Sequence, residues 1–524
     1  MLQPGLCFVS AGLVAFAAAR SGGYFPEDYL LIGAVALVGC AAGLAGAGPQ
    51  WRPTPTALFA LVCITGFAVW TGLSAAWSPD PGGASLAMAR TLGYAAAFLL
   101  AMLAVGNGRH AALLLRLLVL VLVGLGMLAL LGRLRPDLFA GGSNVTYPAQ
   151  GRLGSIITYS NGLGAVSAMA VIGAIALASD ARELVVTRAL AAAGGVLVTC
   201  TMYLTLSRGT GIAFAAGLAV ILVASPRRGR LAVATLITLG GGLAGILLLR
   251  QHPILIDLPG TAAARRAEGG PLVGKLLLVA MAAGGLQAAF ARLQRSREGS
   301  SRVAGRPSRS TPPVLAAAPI IVILLALAGT YLAVGARVEG GANSAGSGVQ
   351  SFLDRQYVSF MNPVSAAPQG QDRLISAQSS RSDAYRVALD GLRAHPIAGD
   401  GAAGYRVRWF RQRRGLEDLR NAHSLELETL SELGVVGGVL LLGFLGSLLF
   451  GLRSMVRRRG TITRTQAAGA GGILVVWVMH SALDWDWQLA AVTLPALICG
   501  ALCLAPDRPP VPPAPPRAAS PGAR

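Results

Sequence analysis

Four basic side chains lie in polar segments that connect long apolar stretches. They are Arg152, Arg208, Arg381 and His423. An ionisable group close to a membrane is costly, so it is retained for a function or for a specific partner. Arginine forks bind phosphate oxygens through two parallel hydrogen bonds, and a histidine can take a proton from a hydroxyl. Together these residue types suit a substrate that carries a diphosphate group at the membrane surface.

Each of these residues also has a purely structural interpretation. Arg208 could extend to a lipid phosphate, and Arg152 could be a surface residue before a capped helix. Arg381 could form a local salt bridge with Asp383, which contributes little when exposed. A lone loop histidine such as His423 is more often structural than catalytic. The catalytic interpretation therefore depends on whether the four side chains converge.

Ligands for metal ions are scarce in the polar segments. No HExxH pattern occurs there, and the carboxylates are scarce and scattered, so we predict neither a metal site nor a cofactor. The six cysteines all fall inside apolar stretches: Cys7, Cys40, Cys63, Cys200, Cys499 and Cys503. The formal net charge of +21 does not require a nucleic-acid partner, because basic clusters near anionic lipid explain much of it.

The elements that must position these residues are membrane-spanning helices. The chain is 54% hydrophobic and 13% charged, whereas soluble domains are about 25% charged. Apolar runs of about 18 residues or more predict spans. Candidate spans are 5–19, 29–47, 56–76, 86–105, 111–132, 160–178, 189–206, 209–224, 231–249, 271–290, 313–335, 433–452, 466–482 and 488–505. The first lacks the basic segment of a signal peptide, so we predict an anchor. The sequence predicts an all-α integral membrane protein with about 12–14 transmembrane helices and one large extracytoplasmic loop that contains short helices.

Dense basic clusters set the predicted orientation, because such clusters stay on the cytoplasmic side. When successive spans cross the membrane in alternate directions, the clusters at 227–230, 291–312 and 453–464 all lie on one side, and the 336–430 loop lies on the other. This pattern predicts that both termini are cytoplasmic and that the large loop is outside. The predicted divisions are N-terminal transmembrane helices at 1–132, core transmembrane helices at 133–335, the extracytoplasmic loop at 336–432, C-terminal transmembrane helices at 433–505 and a disordered cytoplasmic tail at 506–524.

The second half of the loop has a helical pattern. Residues 381–394 place Tyr385, Leu389 and Leu392 on one predicted face. The Pro- and Gly-bearing run at 395–401 then ends the helix. We predict a small folded cap at the outer membrane surface, and a flexible linker at 294–312 on the inner side.

Five motifs occur in a fixed order across residues 150–505. They are Arg152-Leu-Gly followed by Asn161; Leu204-Thr-Leu-Ser207-Arg208-Gly209; Arg381 followed by His395-Pro-Ile-Ala-Gly-Asp-Gly401; Asn421-Ala422-His423-Ser424 followed by Glu432-Leu-Gly434; and His480-Ser481-Ala-Leu-Asp484. In this order, and around one large outside loop, the motifs resemble the O-antigen ligase and O-antigen polymerase superfamily of bacterial envelope glycan enzymes.

This resemblance implies an enzyme, a glycosyltransferase-type ligase or polymerase in the bacterial cytoplasmic membrane. It would move a glycan from undecaprenyl diphosphate to an acceptor hydroxyl on the outer face, without a metal ion. The resemblance implies His423 as general base, and Arg208, Arg381 and Arg152 as the residues that bind the diphosphate. Supporting residues would be Asn161, Asp383, His480 and Asp484. The implied partners are a polyprenyl-diphosphate-linked glycan, a hydroxyl acceptor and the lipid bilayer, with no nucleic acid.

A different class of function stays open, namely a transporter or flippase of a lipid-linked or anionic solute. Transporters also place arginines near membrane cavities, commonly within paired repeats and broken helices. No half-chain symmetry is visible in this sequence, and the candidate residues lie at one surface. A scaffold with a binding loop, in turn, would need neither Arg208 nor His423.

Overall fold

Helices make up the secondary structure of the residues that the computed structural model describes, which are 2–47, 51–105, 108–139, 151–256, 261–303, 381–457 and 462–505, and no strand occurs among them. In chain order within these residues, the helices are α1 (Leu2–Ala19), α2 (Pro26–Ala47), α3 (Pro55–Leu73), α4 (Pro81–Ala104), α5 (Gly108–Leu134), α6 (Ser160–Ser179), α7 (Val185–Leu204), α8 (Arg208–Ala224), α9 (Arg228–Leu249), α10 (Ala262–Val303), α11 (Arg381–Ala394), α12 (Tyr405–Gln412), α13 (Leu425–Arg457), α14 (Arg464–Ser481) and α15 (Ala490–Leu504).

The predicted all-α membrane architecture is confirmed. Ten helices in the described part of the chain are long and apolar enough to cross a membrane, namely α1 to α7, α9, α10 and α13. The shorter apolar helices α8 and α15, and the 18-residue α14, occupy three further predicted spans. The predicted span 313–335 lies outside the described residues, as do the first half of the loop and the tail at 506–524.

The inner linker predicted from residue 294 is wrong where the structure describes it. Helix α10 runs for 42 residues and ends at Val303. The segment after residue 290 contains Arg, Gln, Glu and Leu, which favour helix. Extending an existing helix also avoids the cost of nucleating a new one. The polar composition after residue 290 therefore indicates the end of the predicted span, whereas the helix itself continues to Val303.

Helix α6 lies at the centre of the bundle, and every one of its residues is buried. It packs against α5, α7, α8, α9 and α14. Small residues on α6 allow these neighbours to approach closely, as is typical of membrane helices. A Cβ at Gly164, for example, would overlap the Thr210 side chain of α8. The N-terminus of α6, which carries Asn161, is therefore held from several sides.

The opposite end of α6 is fixed by polar contacts. The Glu183 carboxylate accepts hydrogen bonds from Arg116 Nε at 2.9 Å and from Gln466 Nε2 at 2.7 Å. Thr463 Oγ1 donates to Asp180 Oδ2 at 2.7 Å. These bonds tie the α6–α7 turn to α5 and α14, so α6 is held at both ends.

Helix α13 is kinked where the loop segment 396–401 docks on it. Gly434 has φ 62° and ψ −162°, a conformation that is essentially confined to glycine. The Val435 amide donates to the Pro396 carbonyl at 2.9 Å, and the Gly401 amide donates to the Glu432 carbonyl at 2.8 Å. A Cβ at Gly434 would overlap the Ile397 carbonyl. The kink therefore couples the described part of the loop to a membrane helix.

The predicted helix at 381–394 is present as α11, and the face that it buries is a different one from the face that carries Leu389. Its buried residues are Asp383, Ala384, Val387, Ala388 and Gly391, while Leu389 is 38% exposed. The helix approaches α13 so closely that a Cβ at Gly391 would overlap the Ser431 hydroxyl. A close approach favours small side chains, which a search for large apolar residues overlooks. Ala384, Val387 and Ala388 form a small core with Tyr405, Trp409 and Ala422.

Candidate functional site

The carboxylate of Asp484, in the turn between α14 and α15, connects three separate parts of the chain. Tyr159 donates its hydroxyl to Oδ1 at 2.6 Å. Asn161 Nδ2 and Arg381 Nη2 donate to Oδ2 at 2.6 and 2.8 Å. Asp484 is 1% exposed, and buried charges are retained where they are paired. The site is therefore organised around one buried anion.

The electrostatics keep Asp484 ionised. Burial raises the pKa of this carboxyl, but the Arg381 cation, neighbouring histidines and the Tyr159 hydrogen bond outweigh burial and lower the pKa to about 2. Burial likewise lowers the pKa of Arg381, and the Asp484 charge more than compensates, so that the pKa of Arg381 is raised. Both groups are charged at neutral pH.

Arg152 joins this cluster through Asn161. Its Nη2 donates to Asn161 Oδ1, and its Nε donates to the Thr205 carbonyl at 2.8 Å. The Leu153 amide donates to the Leu204 carbonyl at 2.9 Å. Arg152 is buried, so the interpretation as a surface residue before a capped helix is wrong. The segment before α6 is instead fastened to the end of α7.

Arg208 is the first residue of α8, on the turn that follows Thr205. The Ser207 side chain caps this helix by accepting from the Thr210 amide at 3.3 Å. Thr210 Oγ1 lies 3.4 Å from His480 Nε2, and His480 Nδ1 lies 2.6 Å from Asp486 Oδ2. His480 is 1% exposed and connects the Arg208 turn to the segment that carries Asp484.

His423 lies in the turn before α13 and is half-buried. Its Nδ1 is 3.2 Å from the Asn421 carbonyl. Since a carbonyl can only accept, Nδ1 carries the proton in the neutral ring, and Nε2 keeps its lone pair. Burial lowers the pKa of His423; the Asp484 charge opposes this, and the Arg381 cation adds to it. The imidazole is therefore neutral at pH 7 and can accept a proton at Nε2.

Glu428 fixes the turn that carries His423, and the sequence did not reveal this role. Its carboxylate accepts from Asn421 Nδ2 at 3.0 Å, from the Ala422 amide at 2.8 Å and from Gln488 Nε2 at 2.6 Å. A carboxylate near the start of an apolar span was the available signal. Tyr159 was also missed, although it lies two residues before Asn161.

The sequence-based pairing of Arg381 with Asp383 is wrong. Asp383 Oδ1 accepts from Arg386 Nη2 at 2.7 Å, and Oδ2 accepts from the Arg414 amide at 2.8 Å. Residues two apart on a helix point in different directions, so Arg381 reaches Asp484 while Asp383 holds α11 to the segment after α12. Asp383 therefore organises the loop and lies outside the Asp484 cluster.

Strained backbone is concentrated in the segments that carry these residues. Ile156 and Thr158, before α6, have φ of 75° and 63°. Leu206, before Arg208, has φ of 48°, and His423 itself has φ of 55°. Non-glycine residues rarely adopt positive φ, and such strain persists where the surroundings enforce it, commonly at functional sites. The strained turns support a functional role for this region.

The structure thus places Arg152, Arg381 and His423 around Asp484, with Arg208 on the adjoining turn. Their roles stay predictions, as does their exposure to one outward-facing cavity. Among the described residues, no group of three or more His, Cys, Asp or Glu could hold a metal ion. Two arginines beside a neutral histidine suit a reaction in which a negatively charged group departs and a hydroxyl loses its proton.

The comparisons with known proteins agree with the motif resemblance. Residues 272–442 match the family model described as O-antigen ligase. This range contains Arg381, His423 and the Gly434 kink, whereas Arg152 and Asp484 lie outside it. No curated protein matches the sequence.

Proposed function

We propose that this chain, a member of the O-antigen ligase and polymerase superfamily, transfers a glycan from undecaprenyl diphosphate to an acceptor hydroxyl at the outer face of the cytoplasmic membrane. The observation that carries the proposal is the arrangement around Asp484. One buried carboxylate holds Arg381 and, through Asn161, Arg152, beside a neutral histidine. This arrangement lies at the ends of membrane helices, where a lipid-linked diphosphate would be found.

The arginines would bind the diphosphate of the donor. A guanidinium presents its N–H donors in a fixed plane, and Arg381 Nη2 donates to Asp484 at 2.8 Å. The buried Asp484 charge fixes the direction of Arg381, so little side-chain entropy is lost when phosphate binds. Arg208, at the N-terminus of α8, adds a second cation close to a positive helix end.

His423 would act on the acceptor. The acceptor oxygen attacks the anomeric carbon of the donor sugar while its proton passes to His423 Nε2. The bond between that carbon and the diphosphate oxygen breaks, and its electron pair leaves with undecaprenyl diphosphate. The arginines stabilise this developing charge, and no metal ion is needed in this scheme.

The test follows release of undecaprenyl diphosphate. Purified protein in nanodiscs is incubated with an undecaprenyl-diphosphate oligosaccharide and candidate hydroxyl acceptors, with EDTA present. We expect acceptor-dependent release that His423→Ala lowers by about 10²–10⁴-fold. The matched control is His252→Ala, since His252 is a loop histidine with its own carboxylate partner, Glu268, at 3.2 Å. This control should retain wild-type turnover.

Two outcomes would count against the proposal. Full turnover by His423→Ala would remove the histidine from the mechanism. Movement of the lipid-linked donor across liposome membranes without any acceptor, at a rate unaffected by His423→Ala, would assign the protein to the flippase class.

A further inference from the structure

A second polar pocket lies where the α3–α4 turn meets α12. Its volume is about 300 Å³, and its walls include Trp77, His395, Asp400, Arg408 and Arg411. None of these residues belongs to the Asp484 cluster. The volume is at the lower end of the range for small-molecule sites, and it suits a small group with both a ring face and polar substituents.

The walls of this pocket are held rigidly. Ser78 Oγ donates to the Ala402 carbonyl at 2.6 Å, and the Ala402 amide donates to Ser74 Oγ at 3.0 Å. Gly401 has φ of 88°, and a Cβ there would overlap the Ser78 backbone. The segment next to Trp77 is thus fastened to the segment that carries Asp400. A preformed pocket loses little entropy on binding.

The exposed polar groups of the pocket are mainly cationic or hydrogen-bond donors. Asp400 is already engaged, since it accepts from Arg408 Nη2 at 2.7 Å and lies 2.7 Å from His395 Nδ1. Arg411 has no hydrogen bond or carboxylate partner among the described residues, and it is exposed. Trp77 is 39% exposed. An exposed indole offers an apolar ring face and an N–H donor, while Arg411 offers a fork for carboxylate or phosphate.

The pocket and the Asp484 cluster lie at opposite ends of one helix. Arg381 begins α11, and His395 directly follows its last residue. A helix of 14 residues separates its ends by about 20 Å. A glycan several sugars long, attached at the Asp484 cluster, can therefore reach the pocket.

We propose that this pocket binds an acidic sugar, carrying a carboxylate or phosphate, within the glycan that the enzyme transfers. The sugar ring would lie on the Trp77 indole, and its anionic group would face Arg411 and Arg408. The location along the glycan rests on the proposed function, whereas the binding chemistry does not. A phosphatidylglycerol headgroup also offers phosphate, but it has no ring face for the exposed indole, so we favour the sugar.

The experiment measures binding without turnover. The full-length protein carrying His423→Ala is placed in phosphatidylcholine nanodiscs and titrated with a hyaluronan hexasaccharide, in which alternate sugars are uronic acids. Chitohexaose, a neutral oligomer of the same length, is the matched probe. We expect preferential binding of the acidic oligomer, and a rise in its Kd of about tenfold or more on Arg411→Ala. Trp77→Ala should weaken the binding of both oligomers.

The matched control is Arg393→Ala. Arg393 is an exposed arginine near the end of α11 that pairs with Asp390 and does not line the pocket, so binding should be unchanged. Equal binding of both oligomers by the His423→Ala protein, with and without Arg411→Ala, would overturn the proposal. So would retention of phosphatidylglycerol that Arg411→Ala abolishes, without hexasaccharide binding, because that result assigns the pocket to a lipid headgroup. Since no transfer is measured, failure of the proposed reaction leaves this test intact.

Discussion

Single residues in this site act through charges that are fixed before a substrate arrives. Asp484 stays ionised because Arg381 and the Tyr159 hydroxyl outweigh its burial. His423 stays neutral because desolvation and the Arg381 cation lower its pKa by more than the Asp484 charge raises it. The two groups therefore have different roles. The charged carboxylate orients a guanidinium, and the neutral imidazole can take a proton.

The pH dependence of transfer should report His423. A base must be neutral to accept a proton, and the pKa of His423 is lowered from 6.5. The value of kcat/KM should therefore rise with pH through a pKa below 6.5 and become level above that pKa. A pH–rate profile between about pH 5 and 8 measures this. A rate that falls as pH rises across this range would indicate that the protonated imidazole is the active form.

Asp484→Asn should weaken the hold on Arg381, although the asparagine side chain has nearly the same size and shape as the aspartate. The substitution removes the carboxylate partner of Arg381, and breaking a fully buried ion pair costs about 3–5 kcal/mol. Arg381 is 23% exposed, so we expect a smaller loss, roughly 1–3 kcal/mol, together with a lower kcat/KM for the donor. Thermal unfolding and donor kinetics measure the two effects. Asp418→Asn is the control, because its pair with Arg406 is exposed on both sides; an equal effect of both changes would contradict this role.

At the scale of elements, two features hold the described part of the loop: its own small apolar core and its backbone hydrogen bonds to the kinked helix α13. The kink at Gly434 frees backbone groups of α13 for the docked segment. The Val435 amide donates to the Pro396 carbonyl, and the Glu432 carbonyl accepts from the Gly401 amide. The same docking places His395 and Asp400 at the second pocket, and the start of α13 follows directly on the His423 turn. One glycine thus influences both proposed sites.

Gly434→Ala should undock the loop. Its φ of 62° with ψ −162° strains any side chain by about 1–3 kcal/mol, and the new Cβ would also overlap the Ile397 carbonyl. We expect a lower thermal midpoint, faster proteolysis between residues 395 and 425, and loss of transfer. Gly446→Ala, on the same helix with open space around the new Cβ, should be neutral or stabilising by up to about 1 kcal/mol. Equal behaviour of the two variants would refute the role of the kink.

At the scale of the whole molecule, the site lies at one end of a bundle whose opposite end carries basic clusters. The Asp484 cluster and the α6–α7 turn at Asp180 lie at opposite ends of α6 and α14. The distribution of arginine predicts that the Asp180 end is cytoplasmic. The side of the membrane on which the proposed transfer takes place depends on this orientation.

Cysteine labelling tests the orientation directly. The six native cysteines are buried, so the background of labelling in intact cells should be low. A membrane-impermeant maleimide should label Arg420→Cys, in the loop, in intact cells. It should label Gly229→Cys, in the first turn of α9, only after the membrane is opened. Labelling of Gly229→Cys alone in intact cells would show the inverse orientation.

The sequence by itself determined the long apolar helices of the described residues, because a bilayer demands long apolar helices whose backbone groups bond internally. It also indicated Arg152, Arg208, Arg381 and His423, because these basic residues fall in polar segments on the side opposite the dense arginine clusters. The helix at 381–394 and its Pro- and Gly-bearing end were likewise readable from local pattern.

Only the tertiary structure decided which partners these residues have. Asn161 and Asp484 are 323 residues apart in the chain, and no local pattern encodes such a contact. Arg381 pairs with Asp484 and not with Asp383. Helix α11 buries its small residues and leaves Leu389 exposed. The packing of α11 on α13 decides these two features. Hydropathy and helical period are local properties, whereas hydrogen-bond partners and close contacts depend on how distant segments pack together.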